Sequence, residues 1–130
     1  MERLLLLSAA TVTAVPTFLQ DAAVAALDTD TQQMRQTYKA RRDYVCSRLR
    51  DMDFAFPEPE GAFYVFVDIQ KFGLSSDEFC KRMIREAGVA AVPGSCFGTE
   101  GYIRISYCYS DGELEEGLNR LERFIRSLPL

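Results

Sequence analysis

The sequence Ala62-Phe63-Tyr64-Val65-Phe66-Val67-Asp68 is the clearest secondary-structure signal in this chain of 130 residues. Aromatic and β-branched residues dominate it, which favours a β-strand. Both alternating sets of positions are apolar, so we expect a central strand with both faces covered. A turn sequence, Pro57-Glu58-Pro59-Glu60-Gly61, precedes it. Ahead of that turn, Phe54-Ala55-Phe56 predicts another short strand.

Segments with helical spacing lie on both sides of this strand. Capping boxes at Ser75-x-x-Glu78 and Ser110-x-x-Glu113 predict where two of the helices begin. The apolar stripes of three helices are Met34, Tyr38, Val45, Leu49 and Met52; then Phe79, Met83, Ile84 and Ala87; then Leu114, Leu118, Leu121, Ile125 and Leu128.

Two further apolar runs, residues 89–92 and 102–108, predict strands. In the second run, alternation turns Arg104 away from the side that Ile103 and Ile105 face. The predicted order after residue 31 is α-β-β-α-β-β-α. We therefore predict an α/β fold (an α+β sandwich), with a small, mostly antiparallel sheet and helices packed on one side.

The first 30 residues differ in pattern from the rest. Residues 4–10 are apolar all round, which predicts a helix buried on every side. The opening also resembles a secretory signal peptide ending at Val12-Thr13-Ala14, but its weak charged region favours the buried helix. The apolar run is shorter than the ~20 residues of a membrane span, so no membrane partner is expected. The polar joint Asp28-Thr29-Asp30-Thr31 predicts a boundary between residues 1–30 and 31–130.

Composition excludes several classes of function. A net charge of −4 and a pI near 4.9 argue against a nucleic-acid partner. Histidine is absent, which removes the commonest metal ligand, and no metal site is expected. The four cysteines contain no C-x-x-C pair, so we interpret them as reduced, buried thiols of a cytoplasmic protein. A secreted protein with two disulfides is the alternative.

Five motifs follow one another along nearly the whole chain. They are Gln20-x-Ala22-Ala23-x-Ala25-Ala26-Leu27, Tyr38-x-x-Arg41-Arg42-Asp43, Gly61-Ala62-Phe63-Tyr64-Val65-Phe66-Val67-Asp68, Gly88-Val89-Ala90-Ala91-Val92-Pro93-Gly94-x-x-Phe97-Gly98 and Gly101-Tyr102-Ile103-Arg104-Ile105-Ser106. Together they resemble the C-terminal portion of class I/II, fold type I pyridoxal-phosphate-dependent aminotransferases, the aspartate aminotransferase family. The resemblance implies that residues 1–30 are a helical remnant of the large cofactor-binding domain. Residues 31–130 would be the small C-terminal domain.

This resemblance also implies a function for the parent protein, which would move an amino group between an amino acid and a 2-oxo acid. Pyridoxal 5'-phosphate would be the parent's cofactor, and a homodimer its usual assembly. The family's catalytic lysine lies before the region matched here, and Lys39, Lys71 and Lys81 do not match its motif. We therefore expect no catalytic residue, no bound cofactor and no activity in this chain alone.

One arginine is the main site residue that the resemblance implies. Arg104 matches the family's arginine for the substrate α-carboxylate, a role that suits a planar guanidinium. Gly61 and Ala62 match a small pair near the substrate, and Phe97 matches a loop at the mouth of the site. The alternatives are an exposed strand arginine, a turn glycine and a core aromatic. We interpret Tyr64 and Phe66 as core.

A different class of function fits the same residues. The chain could be a stand-alone α/β ligand-binding or regulatory module for amino or keto acids, with Arg104 binding the ligand and without catalysis.

Overall fold

A computed structural model of the chain describes residues 2–11 and 14–128. The elements, in chain order, are α1 (Glu2–Thr11), α2 (Thr17–Leu27), α3 (Gln32–Asp51), β1 (Tyr64–Asp68), α4 (Ser76–Ala87), β2 (Val92–Pro93), β3 (Tyr102–Ser106) and α5 (Asp111–Ser127), with short 3₁₀ helices at Gln70–Phe72 and Gly94–Phe97. The chain divides into two compact units, Met1–Gln33 and Met34–Leu130. Their assignment to a large and a small domain stays a prediction.

The first unit contains the helices α1 and α2, neither of which has a buried residue. The four leucines of α1, residues 4–7, are 60% to 70% exposed. The prediction of a helix buried on every side is therefore wrong for this chain, because an all-round apolar helix is buried only where other segments surround it. Val12 and Thr13, from the signal-peptide alternative, lie outside the described residues. Among the described helices, none has the length and hydropathy needed to cross a bilayer.

In the second unit, the sheet has three antiparallel strands in the order β1-β3-β2. β1 pairs with β3 from Tyr64 opposite Ser106 to Asp68 opposite Tyr102. β2 adds only two pairs, one of which sets Val92 opposite Arg104. The small antiparallel sheet is confirmed, but the central strand is β3, whereas the sequence predicted β1. β1 is apolar on both sides because its second face carries half-buried aromatic rings.

The core lies on one face of this sheet and includes residues from three helices. Its buried side chains include Val65, Val67 and Ile103 from the strands, Val45 and Leu49 from α3, Phe79 and Met83 from α4, and Leu118 and Leu121 from α5. This arrangement confirms the predicted α/β fold, because the three helices α3, α4 and α5 and the strands β1 and β3 bury residues in a single shared cluster.

The predicted helix starts agree with the structure. Ser75 Oγ accepts a hydrogen bond from Glu78 N at 3.2 Å at the start of α4. The capping box at the start of α5 is complete, since Ser110 and Glu113 each accept from the other's backbone N–H. These bonds satisfy amide groups that a helix N-terminus leaves without partners.

Two predicted apolar stripes differ in detail from the structure. On α4, Ile84 is 52% exposed and Cys80 is buried in its place. Ile84 follows Met83 by one residue, about 100° around the helix, which turns it out of the buried stripe. On α3, Met34 and Tyr38 are exposed, so only the second half of that stripe is core.

The predicted strand at residues 54–56 is absent from the structure, and the order after residue 31 is α-β-α-β-β-α. Phe54 instead closes the turn that follows α3, because its N–H donates to Leu49 O at 3.0 Å. Ala55 O accepts from Asp68 N at 2.9 Å, which is a single bond and not a ladder. The predicted strand at residues 89–92 is reduced to the two residues of β2.

All four cysteines are free. Cys46 and Cys80 are buried as predicted, and burial raises the pKa of the Cys80 thiol to about 11. Cys96 and Cys108 are exposed, so the prediction of buried thiols is wrong for these two.

Candidate functional site

Arg104 lies in the middle of β3, on the face of the sheet opposite the core. Its neighbour Ile103 is fully buried in the core, whereas Arg104 is half-buried. The guanidinium carbon lies 4.5 Å from the centre of the Phe97 ring and 4.9 Å from the centre of the Tyr64 ring. Both distances are within the range of cation–π attraction, so the two rings hold the guanidinium in place.

Three rings make up this aromatic cluster: Tyr64, Phe66 and Phe97. The centres of the Phe66 and Phe97 rings are 5.5 Å apart, and those of Tyr64 and Phe66 are 6.3 Å apart, both edge to face. The interpretation of Tyr64 and Phe66 as core is wrong, because both are half-buried on the second face of the sheet. The register explains this, since Phe66 lies directly opposite Arg104.

The guanidinium of Arg104 makes no hydrogen bond or ion pair with the part of the chain that the structure describes. An arginine has five N–H donors, and a half-buried one is usually paired with an acid. Here the two rings stabilise the positive charge at the flat face of the guanidinium. The N–H donors at its edge are left to bind another group. The best partner for such an edge is a carboxylate, which can accept two parallel bonds.

Phe97 is positioned by a tightly packed loop. Gly94 is buried at the start of the 3₁₀ helix Gly94–Phe97. A Cβ at this position would lie 2.6 Å from Tyr102 O and would also collide with Thr99 O. Only glycine fits, because both obstacles are backbone atoms. Ser95 N donates to Ser76 Oγ at 3.3 Å, which ties the loop to the start of α4.

Glu100 holds the other end of the same loop. Its carboxylate accepts from Ser76 N at 2.6 Å and from Ser76 Oγ at 3.0 Å. A hydrogen bond from the Ser76 backbone, and then one from the Gly101 backbone, lower the pKa of Glu100 below its ordinary value of 4.5. Sequence reasoning missed this pair, since only a long-range fold brings together residues 24 positions apart.

The pH dependence of stability should report this contact. The bonds favour ionised Glu100 in the folded state, so its stabilisation is present above pH 4.5 and is lost as pH falls through the lowered pKa. We expect Glu100→Gln to be less stable than the wild type near neutral pH, with the gap closing on acidification. Urea unfolding between about pH 6 and pH 3 measures this.

The control is Glu115→Gln, at an exposed position of α5. Its stability should follow that of the wild type across the same pH range. A gap between wild type and Glu100→Gln that stays constant with pH would contradict the prediction.

Gly61 and Ala62 precede β1 in a segment without regular structure. Ala62 has φ of 62°, in the left-handed region that favours glycine. Gly61 does not have a positive φ, and a Cβ there would meet nothing within 4 Å. Ala62 lies two residues before Tyr64, and the ring of Tyr64 contacts the guanidinium of Arg104. Among residues 2–11 and 14–128, therefore, no steric contact requires glycine at position 61.

The three lysines form ion pairs away from Arg104. Lys39 Nζ lies 3.1 Å from Asp43, and Lys81 Nζ lies 2.6 Å from Asp77. Lys71 Nζ pairs with Asp53 at 3.3 Å. Each ammonium thus pairs with an aspartate, although Asp43 also binds Arg42, and none of the three contacts Arg104 among the described residues. Among the described residues, no group of three or more His, Cys, Asp or Glu could hold a metal ion.

Comparison with known proteins places this chain in a family. The family model described as aminotransferase class I and II matches residues 3–121. The chain belongs to this family, and the recognition made from the five motifs is confirmed.

Individual relatives agree with the family match. Aromatic-amino-acid aminotransferase 2 of Thermococcus litoralis is 44% identical over 121 residues, covering 88% of this chain and 31% of the relative. Aspartate aminotransferase of Pyrococcus abyssi gives the same identity and coverage. The chain therefore spans about a third of the length of the curated relatives it matches.

Solved structures show the same fold. The crystal structure of aspartate aminotransferase from Thermotoga maritima matches with a TM-score of 0.85 at 40% identity, covering 93% of this chain and 32% of that one. An aromatic aminotransferase from Pyrococcus horikoshii matches with a TM-score of 0.86 at 41% identity, covering 96% and 35%. Both proteins are similar to this chain over nearly its whole length.

Proposed function

We propose that this chain is the C-terminal part of a pyridoxal-phosphate-dependent aminotransferase that moves an amino group between an amino acid and a 2-oxo acid. Residues 1–30 would end the large domain and residues 31–130 would form the small domain. The observation that carries the proposal is the Arg104 guanidinium, which is held on two rings and has no acidic partner in the described part of the chain. The family membership supplies the reaction class.

In this proposal Arg104 binds and orients the substrate. The rings of Tyr64 and Phe97 restrict the guanidinium, so little side-chain entropy is lost when a carboxylate docks. Two parallel charge-assisted bonds would then fix the carboxylate plane and with it the direction of the α-carbon. Phe97, which is 46% exposed, would line the mouth of the site, and Gly61 and Ala62 would lie near the substrate.

The cofactor chemistry would come from outside this chain. Pyridoxal 5'-phosphate supplies an electron sink for bonds at the substrate's α-carbon. The three lysines here pair with aspartates and do not match the family's lysine motif, so we assign no catalytic residue to this chain. The chain alone would be inactive, and the complete protein would be a cytoplasmic homodimer.

A trapping experiment tests the proposal that no lysine of this chain binds the cofactor covalently. The purified chain is mixed with pyridoxal 5'-phosphate, reduced with borohydride and analysed by peptide mass spectrometry. We expect no stoichiometric adduct at any one lysine, and no amino transfer from aspartate or phenylalanine to 2-oxoglutarate. A complete aminotransferase of the family is the positive control. Stoichiometric modification of one lysine together with turnover would show that the chain is an enzyme by itself.

A further inference from the structure

The segment between Phe56 and β1 has no regular secondary structure. Side chains from other parts of the chain bind its carbonyl groups and one of its carboxylates. Arg42 Nη1 donates to Pro59 O at 3.2 Å. Arg50 forms an ion pair with Glu58. Tyr107, one residue beyond β3, bonds to the last part of the segment, immediately before Tyr64 begins β1. One buried tyrosine thus anchors the end of this segment that leads into β1.

Tyr107 is 1% exposed and is the largest fully buried side chain of the described chain. Its N–H donates to Phe63 O at 2.8 Å. Its hydroxyl faces Gly61 O at 3.4 Å and Ala62 O at 3.3 Å, and the described residues offer it no other acceptor. A buried hydroxyl needs an acceptor, so these two carbonyls share the proton. Burial raises the pKa of Tyr107, which keeps the phenol protonated and able to donate.

The two carbonyls belong to the residues around the left-handed turn. Ala62 has φ of 62°, which its Cβ makes unfavourable, and nothing in its own side chain compensates. The adjacent glycine is not the residue in the left-handed region. The contacts of Tyr107 offset this local cost, because they are made only when the turn presents its carbonyls to the core.

We propose that Tyr107 is a positioning residue for the Arg104 site. It holds Gly61-Ala62-Phe63 in the left-handed turn, which sets where β1 begins and so keeps the Tyr64 ring against the guanidinium. Tyr64 pairs with Ser106 in the sheet, immediately next to the Phe63–Tyr107 hydrogen bond. A shift of the backbone at Phe63 would therefore also displace Tyr64. The effect on ligand binding rests on the proposed function, whereas the effect on the turn does not.

The turn is tested by a double-mutant cycle in the chain as it stands, measured by urea unfolding. We expect Tyr107→Phe to raise the unfolding equilibrium constant about two- to fivefold, the lower part of the range for a buried hydrogen bond, because both contacts of the hydroxyl are long. Ala62→Gly should lower that constant, because glycine adopts the left-handed region without strain. In the Ala62→Gly background the effect of Tyr107→Phe should shrink to half or less, since the turn no longer needs the restraint.

Tyr109→Phe, at an exposed tyrosine two residues away, is the control and should leave stability unchanged. Additive effects of Tyr107→Phe and Ala62→Gly would overturn the proposal. If Tyr107→Phe does not fold, Ala62→Gly alone decides, and a loss of stability in that variant would also overturn it.

The positioning role is tested in the complete protein that contains this chain. Tyr107→Phe should raise the KM for the amino-acid substrate about 3- to 10-fold and leave kcat nearly unchanged, because binding geometry is affected and chemistry is not. A purely structural tyrosine would change stability but not KM. If Tyr107→Phe leaves KM unchanged while Arg104→Lys impairs the enzyme, the positioning role of Tyr107 is refuted and the proposed function is not. No effect of Arg104→Lys would refute the proposed function instead.

Discussion

Replacing Arg104 by lysine in the complete protein should lower kcat/KM for its amino-acid substrate by about 10- to 1,000-fold, which corresponds to ~1.4–4 kcal/mol. Lysine keeps the positive charge but has a single ammonium, so it cannot give two parallel bonds to one carboxylate. It also loses the flat face that lies on Tyr64 and Phe97. Steady-state kinetics of the complete transamination, with varied amino acid and a fixed saturating 2-oxo acid as acceptor, measure the effect.

Two controls separate recognition of the carboxylate from general damage. Arg123→Lys, at a largely exposed position of α5, should leave the kinetics unchanged. An amine substrate without a carboxylate should react poorly with the wild type and lose little more with Arg104→Lys. Wild-type kinetics in Arg104→Lys would remove this residue from the site, and the proposed function would lose its main support.

Phe79→Ala should destabilise the second unit by about 3–5 kcal/mol, the usual cost of removing a large aromatic side chain from a core. Phe79 is fully buried, and its ring centre lies 5.4 Å from that of Phe72 and 5.3 Å from that of Phe124. Domains are stable by only ~5–15 kcal/mol, so the variant should be close to unfolding at room temperature. Urea unfolding followed by far-UV circular dichroism measures the loss.

Ile84→Ala is the matched control on the same helix. The sequence predicted both residues to face inward, but Ile84 is exposed, so its truncation should cost well under ~1 kcal/mol. Comparable losses in the two variants would show that α4 presents a different face to the sheet.

Much of the fold could be predicted because its signals are local. A capping box such as Ser110-x-x-Glu113 joins residues three positions apart, so the start of α5 depends on no distant contact. The alternation along β3 likewise separates Arg104 from Ile103 whichever strand pairs with it. The predicted strand at Phe54-Ala55-Phe56 failed because Phe54 closes the turn after α3 and enters the core, while Phe56 packs against the core.

The amino-acid sequence alone determined the family, the helices, the main strands and the side of β3 from which Arg104 projects. Tertiary structure decided what surrounds that arginine: Tyr64 and Phe97 against its flat face, Glu100 bonded to Ser76, and Tyr107 behind the turn at Ala62. The reason is distance along the chain. Periodicity and caps act over three or four residues, whereas Tyr64, Glu100 and Tyr107 lie 24 to 45 residues from their partners and meet them only once strand register is set. Phe97 is only seven residues before Arg104, but the fold of the intervening loop brings its ring to the guanidinium.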